Sequence, residues 1–111
     1  MTATRFGALD LVANAFVELM TGPSGFSSTV NIRFVNRNST SVRIRLALVD
    51  AGAGSAISAL DVEDYLEFDL ELRANGVLEN TGIPIPDGFT LVARSDTNDV
   101  TAAAYGFTEK D

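Results

Sequence analysis

The chain contains no cysteine, no histidine and no tryptophan. Without cysteine there is neither a disulfide framework nor a thiolate metal site. Without histidine the commonest general base and metal ligand is missing. Serine and threonine are plentiful, but with no histidine and a single lysine, Lys110, they have no evident activator. Cations are scarce as well: eight against fifteen carboxylates, a net charge of −7 and a pI near 4.3. That balance argues against phosphate backbones and anionic bilayers as partners, since both demand clustered Lys and Arg. No apolar run approaches the roughly 20 residues needed to span a bilayer. MTATRFGALDLVANAF (1–16) lacks the basic start and unbroken apolar centre of a secretory signal. The expectation is a soluble product made in the cytoplasm. Nucleotide-binding glycine patterns are absent too; AGAGSA (51–56) has Gly-x-Gly but no basic residue to hold a phosphate.

What is present is an ordinary apolar fraction, 46% of 111 residues, enough for one domain spanning 1–111. A chain of this size buries roughly 60–70% of its unfolded surface. Hydrophobicity repeats with period two, and period 3.6 is nearly missing. ALDLVANAFVELM (8–20) splits into two short alternating pieces near Asn14. TGPSGFSS (21–28) is a turn cluster. TVNIRFVN (29–36) turns Val30, Ile32 and Phe34 inward, and SVRIRLALVD (41–50) does the same with Val42, Ile44, Leu46 and Leu48. RNST (37–40) reads as a tight hairpin between them. ISALDVEDY offers a helical turn. YLEFDLEL (65–72) alternates without a break, placing Leu66, Phe68, Leu70 and Leu72 on one side and Glu67, Asp69 and Glu71 on the other.

RANG (73–76) is a turn, and 77–88 reads as an edge or connecting strand because Pro84 and Pro86 withdraw ladder donors. FTLVARS (89–95) and VTAAAYGF (100–107), joined by DTND, read as a last hairpin. Residues 1–7 form an arm and 108–111 a tail. Seven or eight strands with turns every 8–12 residues predict an all-β, single-domain antiparallel β-sandwich of jelly-roll type.

Seven of the eight cations are arginine, whose planar fork suits paired carboxylates. The acid row of 65–72 is therefore expected to meet arginines of its own sheet, in a charge ladder of Arg33, Arg43 and Arg45 against Glu67, Asp69 and Glu71. Each cross-strand pair contributes only about 0.2–1 kcal/mol. The larger effect is on register, because a one-residue slip would bury the acids. Six carboxylates between Asp61 and Glu71 also invite a Ca²⁺ reading, but side chains alternating along a strand diverge, and only Asp61, Glu63 and Asp64 can gather; SDTND (95–99) is a second such loop. Glycoside hydrolysis needs one acid of raised pKa in a cleft, which solvated acids do not provide. No catalytic residue, cofactor or metal is assigned, and the chain reads as a non-enzyme. Phe6, Phe26, Val35, Val49 and Tyr105 are candidate interface residues, with apolar side chains near nominally outward positions.

One stretch carries a resemblance. TVNIRFVNRNSTSVRIRLALVD with EDYLEFDLELRANGVLENTGIPIPDGFTLVARSD resembles small β-rich virion proteins of tailed bacteriophages. Such chains place an Asn-x-x-Asn-Arg-(Ser/Thr) turn before a Val-Arg-(Ile/Leu)-Arg strand, then Tyr-(Ile/Leu)-Glu-(Tyr/Phe)-Asp and Leu-x-Ala-Asn-Gly-Val-Leu-Glu-x-Thr-Gly. The likeness covers roughly residues 29–106 and consists of strand and turn motifs. It implies a virion structural role: a capsid decoration or cement protein, or else a tail or baseplate accessory that binds a receptor or glycan through loops 21–28, 51–64 and 95–99. The implied partners are the major capsid protein or other virion proteins and further copies of the chain, as a trimer. Nucleic acid and membrane are not expected partners, and the virion is the expected location.

Overall fold

A computed structural model describes residues 3–50 and 56–111 of the chain. Eight strands form in order: β1 Ala3–Leu11, β2 Val17–Thr21, β3 Phe26–Asn36, β4 Val42–Asp50, β5 Tyr65–Leu72, β6 Val77–Ile85, β7 Phe89–Ser95 and β8 Val100–Lys110. A single helical turn, α1 (Ala56–Ala59), and a 3₁₀ turn at Val62–Asp64 precede β5. The alternating apolar residues explain the strands. On β3 the inward Val30, Ile32 and Phe34 are fully buried, as are Val42, Ile44 and Leu46 on β4.

The strands lie in two antiparallel four-stranded sheets, ordered β1-β8-β3-β6 and β2-β7-β4-β5. Strand β1 lies against β8, β2 against β7, β3 against β6 and β4 against β5. That is the topology of one long two-stranded ribbon rolled up on itself, an eight-stranded jelly roll. Between the sheets lies the core, built around Phe34, Leu11, Ile32, Ile44, Leu46 and Leu91. A satellite cluster of Ala47, Val49, Ala56 and Val92 covers part of the outer face of the second sheet, with Phe16, Leu60 and Tyr65 packed against it.

The rolled ribbon corrects two local expectations. Residues 37–40 do not close a hairpin, because β3 and β4 belong to different sheets. The same is true of β7 and β8 across 96–99. Of the sequential neighbours only β4 and β5 pair directly, so nearly all pairing is between distant segments. The expected arm at 1–7 is in fact the start of β1 from Ala3, hydrogen-bonded along β8, and the tail is β8 itself as far as Lys110. Alternation alone cannot tell a hairpin partner from a strand in the facing sheet, since both present one apolar side.

Each sheet leaves two outer strands whose backbone groups invite further pairing. β2 is only five residues long. β6 carries Pro84 and a register break between Val30 and Ile32 of its partner. Gly82 takes φ +71 there, and Asn31 Oδ1 accepts the Gly82 N–H at 3.0 Å. The expected edge character of 77–88 is thus found.

Candidate functional site

The acid row lies on β5, and its alternation does not survive pairing. Leu72 is opposite Val42 and Leu70 opposite Ile44, both toward the core. The register then shifts between Ile44 and Leu46 and again between Leu46 and Ala47, where Glu67 and Tyr65 are the partners. Two residues, Phe68 and Asp69, therefore stand across from Arg45, and Leu66 has no counterpart. These are β-bulges, and Asp69 takes φ +51, a left-handed conformation that Asp tolerates better than most residues. Each extra residue reverses the face taken by those beyond it. The expectation that Leu66 and Phe68 point inward is overturned: they are 40% and 58% exposed.

The bulge is clamped by arginine. Arg45 Nε and Nη2 donate to the two carboxylate oxygens of Asp69 at 2.6 and 3.1 Å. Arg43 Nη1 donates to the Asp69 carbonyl at 3.1 Å. The Arg45 guanidinium also lies 4.2 Å from the Phe68 ring centroid and 5.9 Å from that of Tyr65. Those rings meet edge to face at 4.8 Å. The geometry unites a bidentate ion pair with cation–π contact. The hydrogen bonds from Arg45 hold the Asp69 carboxyl below the usual aspartate range, and Asp69 in turn raises Arg45. An acid poised to donate a proton would show the opposite shift.

The rest of the proposed ladder is distributed otherwise. Arg43 stands opposite Glu71 in register, but its guanidinium goes to the Asp69 carbonyl instead, and among the described residues no ion pair joins Glu71 or Glu67 to a cation. Glu67 faces Leu46. Arg33 is in the other sheet, where its partner is Glu79 of β6 at 3.4 Å. It cannot reach the β5 acids, because the 37–40 connection crosses between sheets.

Among the interface candidates, Val49 is buried, covered by the satellite cluster; its outward position is roofed by α1, so it is withdrawn as a contact. Phe6 packs against the main core. Phe26, Val35 and Tyr105 are half-buried. Arg33 lies over the Tyr105 ring, 5.9 Å from its centroid.

The two loops read as calcium candidates use their oxygens on the protein. Asp61 and Asp64 form a reciprocal capping box on the 3₁₀ turn. Asp96 Oδ1 accepts from the Arg43 N–H at 3.0 Å, Asn98 Oδ1 from the Ala13 N–H at 2.8 Å, and Asp99 pairs with Arg37 at 3.7 Å. Among the described residues no group of three or more acidic side chains gathers for a cation.

Asn36 falls in the Asn-Arg turn motif of the resemblance, which gives it no buried role, yet it organises one end of the molecule. It is 1% exposed, and its Nδ2 donates to the carbonyls of Thr40, Leu72 and Arg73 at 2.9–3.1 Å. Its Oδ1 accepts from the Asn38 N–H and Nδ2, and Asn38 Nδ2 also reaches the Asn98 carbonyl. The signal was its phase: in the series Ile32, Phe34, Asn36 an amide occupies an inward position, which requires buried partners.

No protein-family model matches the chain, and no curated protein sequence matches it.

Proposed function

We propose that this chain is a non-enzymatic virion structural protein, a capsid decoration or cement protein that sits in many copies on a head lattice. The observation that carries the reading is the use made of the acid row. Asp69, its central carboxylate, is spent on clamping a β-bulge, with its proton affinity lowered rather than raised for acid catalysis. Around the clamp, Phe68 and Leu66 on the outer strand β5, with Val62 (80% exposed) on the 3₁₀ turn before it, leave apolar side chains exposed, where an aromatic anchor favours docking to another protein. The likeness of residues 29–106 to phage virion proteins supplies the setting. The proposed partners are the major capsid protein or other virion proteins, with self-association as a trimer, and a net charge of −7 complements basic patches on a shell.

Electron microscopy of purified particles containing the chain, with its copy number from quantitative gels, tests the reading. Regular density at lattice positions of the head is expected. Density confined to a tail tip or baseplate would replace the proposal with a tail accessory role, and particles that lack the chain would end both.

A further inference from the structure

On the outer face of the β1-β8-β3-β6 sheet, away from the β5 clamp, a recess of about 310 Å³ is lined by Ala3, Thr4, Arg5, Asn31, Tyr105, Gly106 and Phe107. Its composition contrasts with the chain as a whole. Carboxylates outnumber cations fifteen to eight in the sequence, yet this lining holds a guanidinium and no carboxylate. Elsewhere Arg33, Arg37 and Arg45 have ion-pair partners, and Arg43 and Arg94 donate to oxygens of Asp69 and Asn14. Among the described residues the side chains of Arg5 and Arg73 have no partner, and of these two only Arg5 lines the recess.

The walls are pre-set. Tyr105 is held from one side by Arg33 over its ring and by Glu79, whose Oε2 lies 3.5 Å from its hydroxyl. Asn31 has its Oδ1 fixed by the Gly82 N–H, which leaves its Nδ2 as a donor. Phe107, 41% exposed, adds a second aromatic surface. Two aromatic rings, an unpaired guanidinium and one amide donor form a small recess of mainly apolar lining with a few convergent polar groups, the usual make-up of a ligand site.

We infer that this recess binds the carboxylate of an acidic monosaccharide, a uronic or sialic acid unit of a larger glycan. Arg5 receives the carboxylate as a charge-assisted bond, Asn31 donates to a ring substituent, and an apolar C–H face of the pyranose lies on Tyr105 or Phe107. The volume limits occupancy to about one sugar unit. None of the described residues of loops 21–28, 51–64 and 95–99 lines it, and it does not depend on whether the chain coats a head.

Amide NMR titration of the full chain with N-acetylneuraminic acid and with galacturonic acid, against neutral galactose at matched pH and salt, tests it. Saturable shifts at Asn31, Gly106 and Phe107 are expected with the acids, in the millimolar range, and not with galactose. Arg5→Ala should weaken binding about tenfold or more, with Arg5→Lys between. Because Arg5 is exposed, both variants should keep the wild-type spectrum elsewhere. Galactose binding as tightly as the acids would overturn the carboxylate assignment. Benzoate binding as tightly as the acidic sugars would overturn the sugar. No shifts with any probe, or shifts at these amides on protein dilution alone, which would place a second copy in the recess, would overturn the site.

Discussion

Two regions tie strands together by opposite means. At the end of the sandwich where β3 and β5 run out, neutral amides do it: Asn36 and Asn38 link the carbonyls of residues 40, 72, 73 and 98 in a network that is buried at Asn36 and reaches solvent at Asn38. Along the outer strand β5 the tie is ionic and half in water, with Arg45 24% and Asp69 39% exposed at their side chains. The difference teaches where polar groups contribute most. A buried amide whose bonds are all made costs heavily to remove, because the carbonyls left behind cannot turn to solvent. An exposed ion pair returns to water at little loss. The amides therefore specify how the ribbon is rolled, and the arginine clamp shapes one edge.

The comparison breaks most visibly at Asn36. Asn36→Asp should cost about 3–5 kcal/mol in urea unfolding, since it places an unpaired carboxylate against three carbonyl oxygens. Asn36→Ala should cost about 2–3 kcal/mol. A loss below that of an ordinary surface change would show that the network is dispensable. At the other region, Arg45→Ala should cost about 1 kcal/mol or less by the same measurement. In a double-mutant cycle, the charge-reversed pair Arg45→Glu with Asp69→Arg should recover part of the loss of either single change, whereas pairing Arg45→Glu with Glu67→Arg should give additive effects, because Glu67 does not meet Arg45.

The ion pair also has a pH signature. The folded pKa of Asp69 is lowered, so its contribution is fully present above the ordinary aspartate value near 4 and is lost as pH falls through the depressed folded value. Acid titration of thermal stability should be shallower over that window in Asp69→Asn than in the wild type, and an identical slope would show that the pair is not coupled to folding. Phe68→Ser, at a residue 58% exposed, removes the ring under Arg45 and beside Tyr65 and should cost no more than about 0.5–1 kcal/mol; its larger consequence should be weaker attachment to particles in a co-sedimentation assay.

Strand positions were legible in the sequence from Val30, Ile32 and Phe34 or Val42, Ile44 and Leu46, whose spacing leaves one extended solution. So was the pairing of an arginine with Asp69. What misled was YLEFDLEL: its perfect alternation predicts a regular strand, yet Asp69 adopts a left-handed backbone and the register breaks on both sides of Glu67. Nothing in the local pattern marks the bulges, because the partner strand decides whether a residue has a counterpart. Arg33 lies in the other sheet for a related reason, since RNST reads equally well as a hairpin turn or as a crossover between sheets. Val49 read as outward, and α1, which roofs it, is set by no periodicity.

The sequence by itself determined the class of fold, one antiparallel sandwich of seven or eight strands, because side-chain period and turn chemistry act within a few residues of chain. It also determined that histidine- and thiolate-based chemistry is closed to this protein. Which strand lies beside which, where β5 bulges, that Asn36 joins separate turns and that Arg5 faces a recess free of carboxylates were decided only in three dimensions. Those outcomes depend on contacts between segments far apart along the chain, and a local pattern carries no term for them.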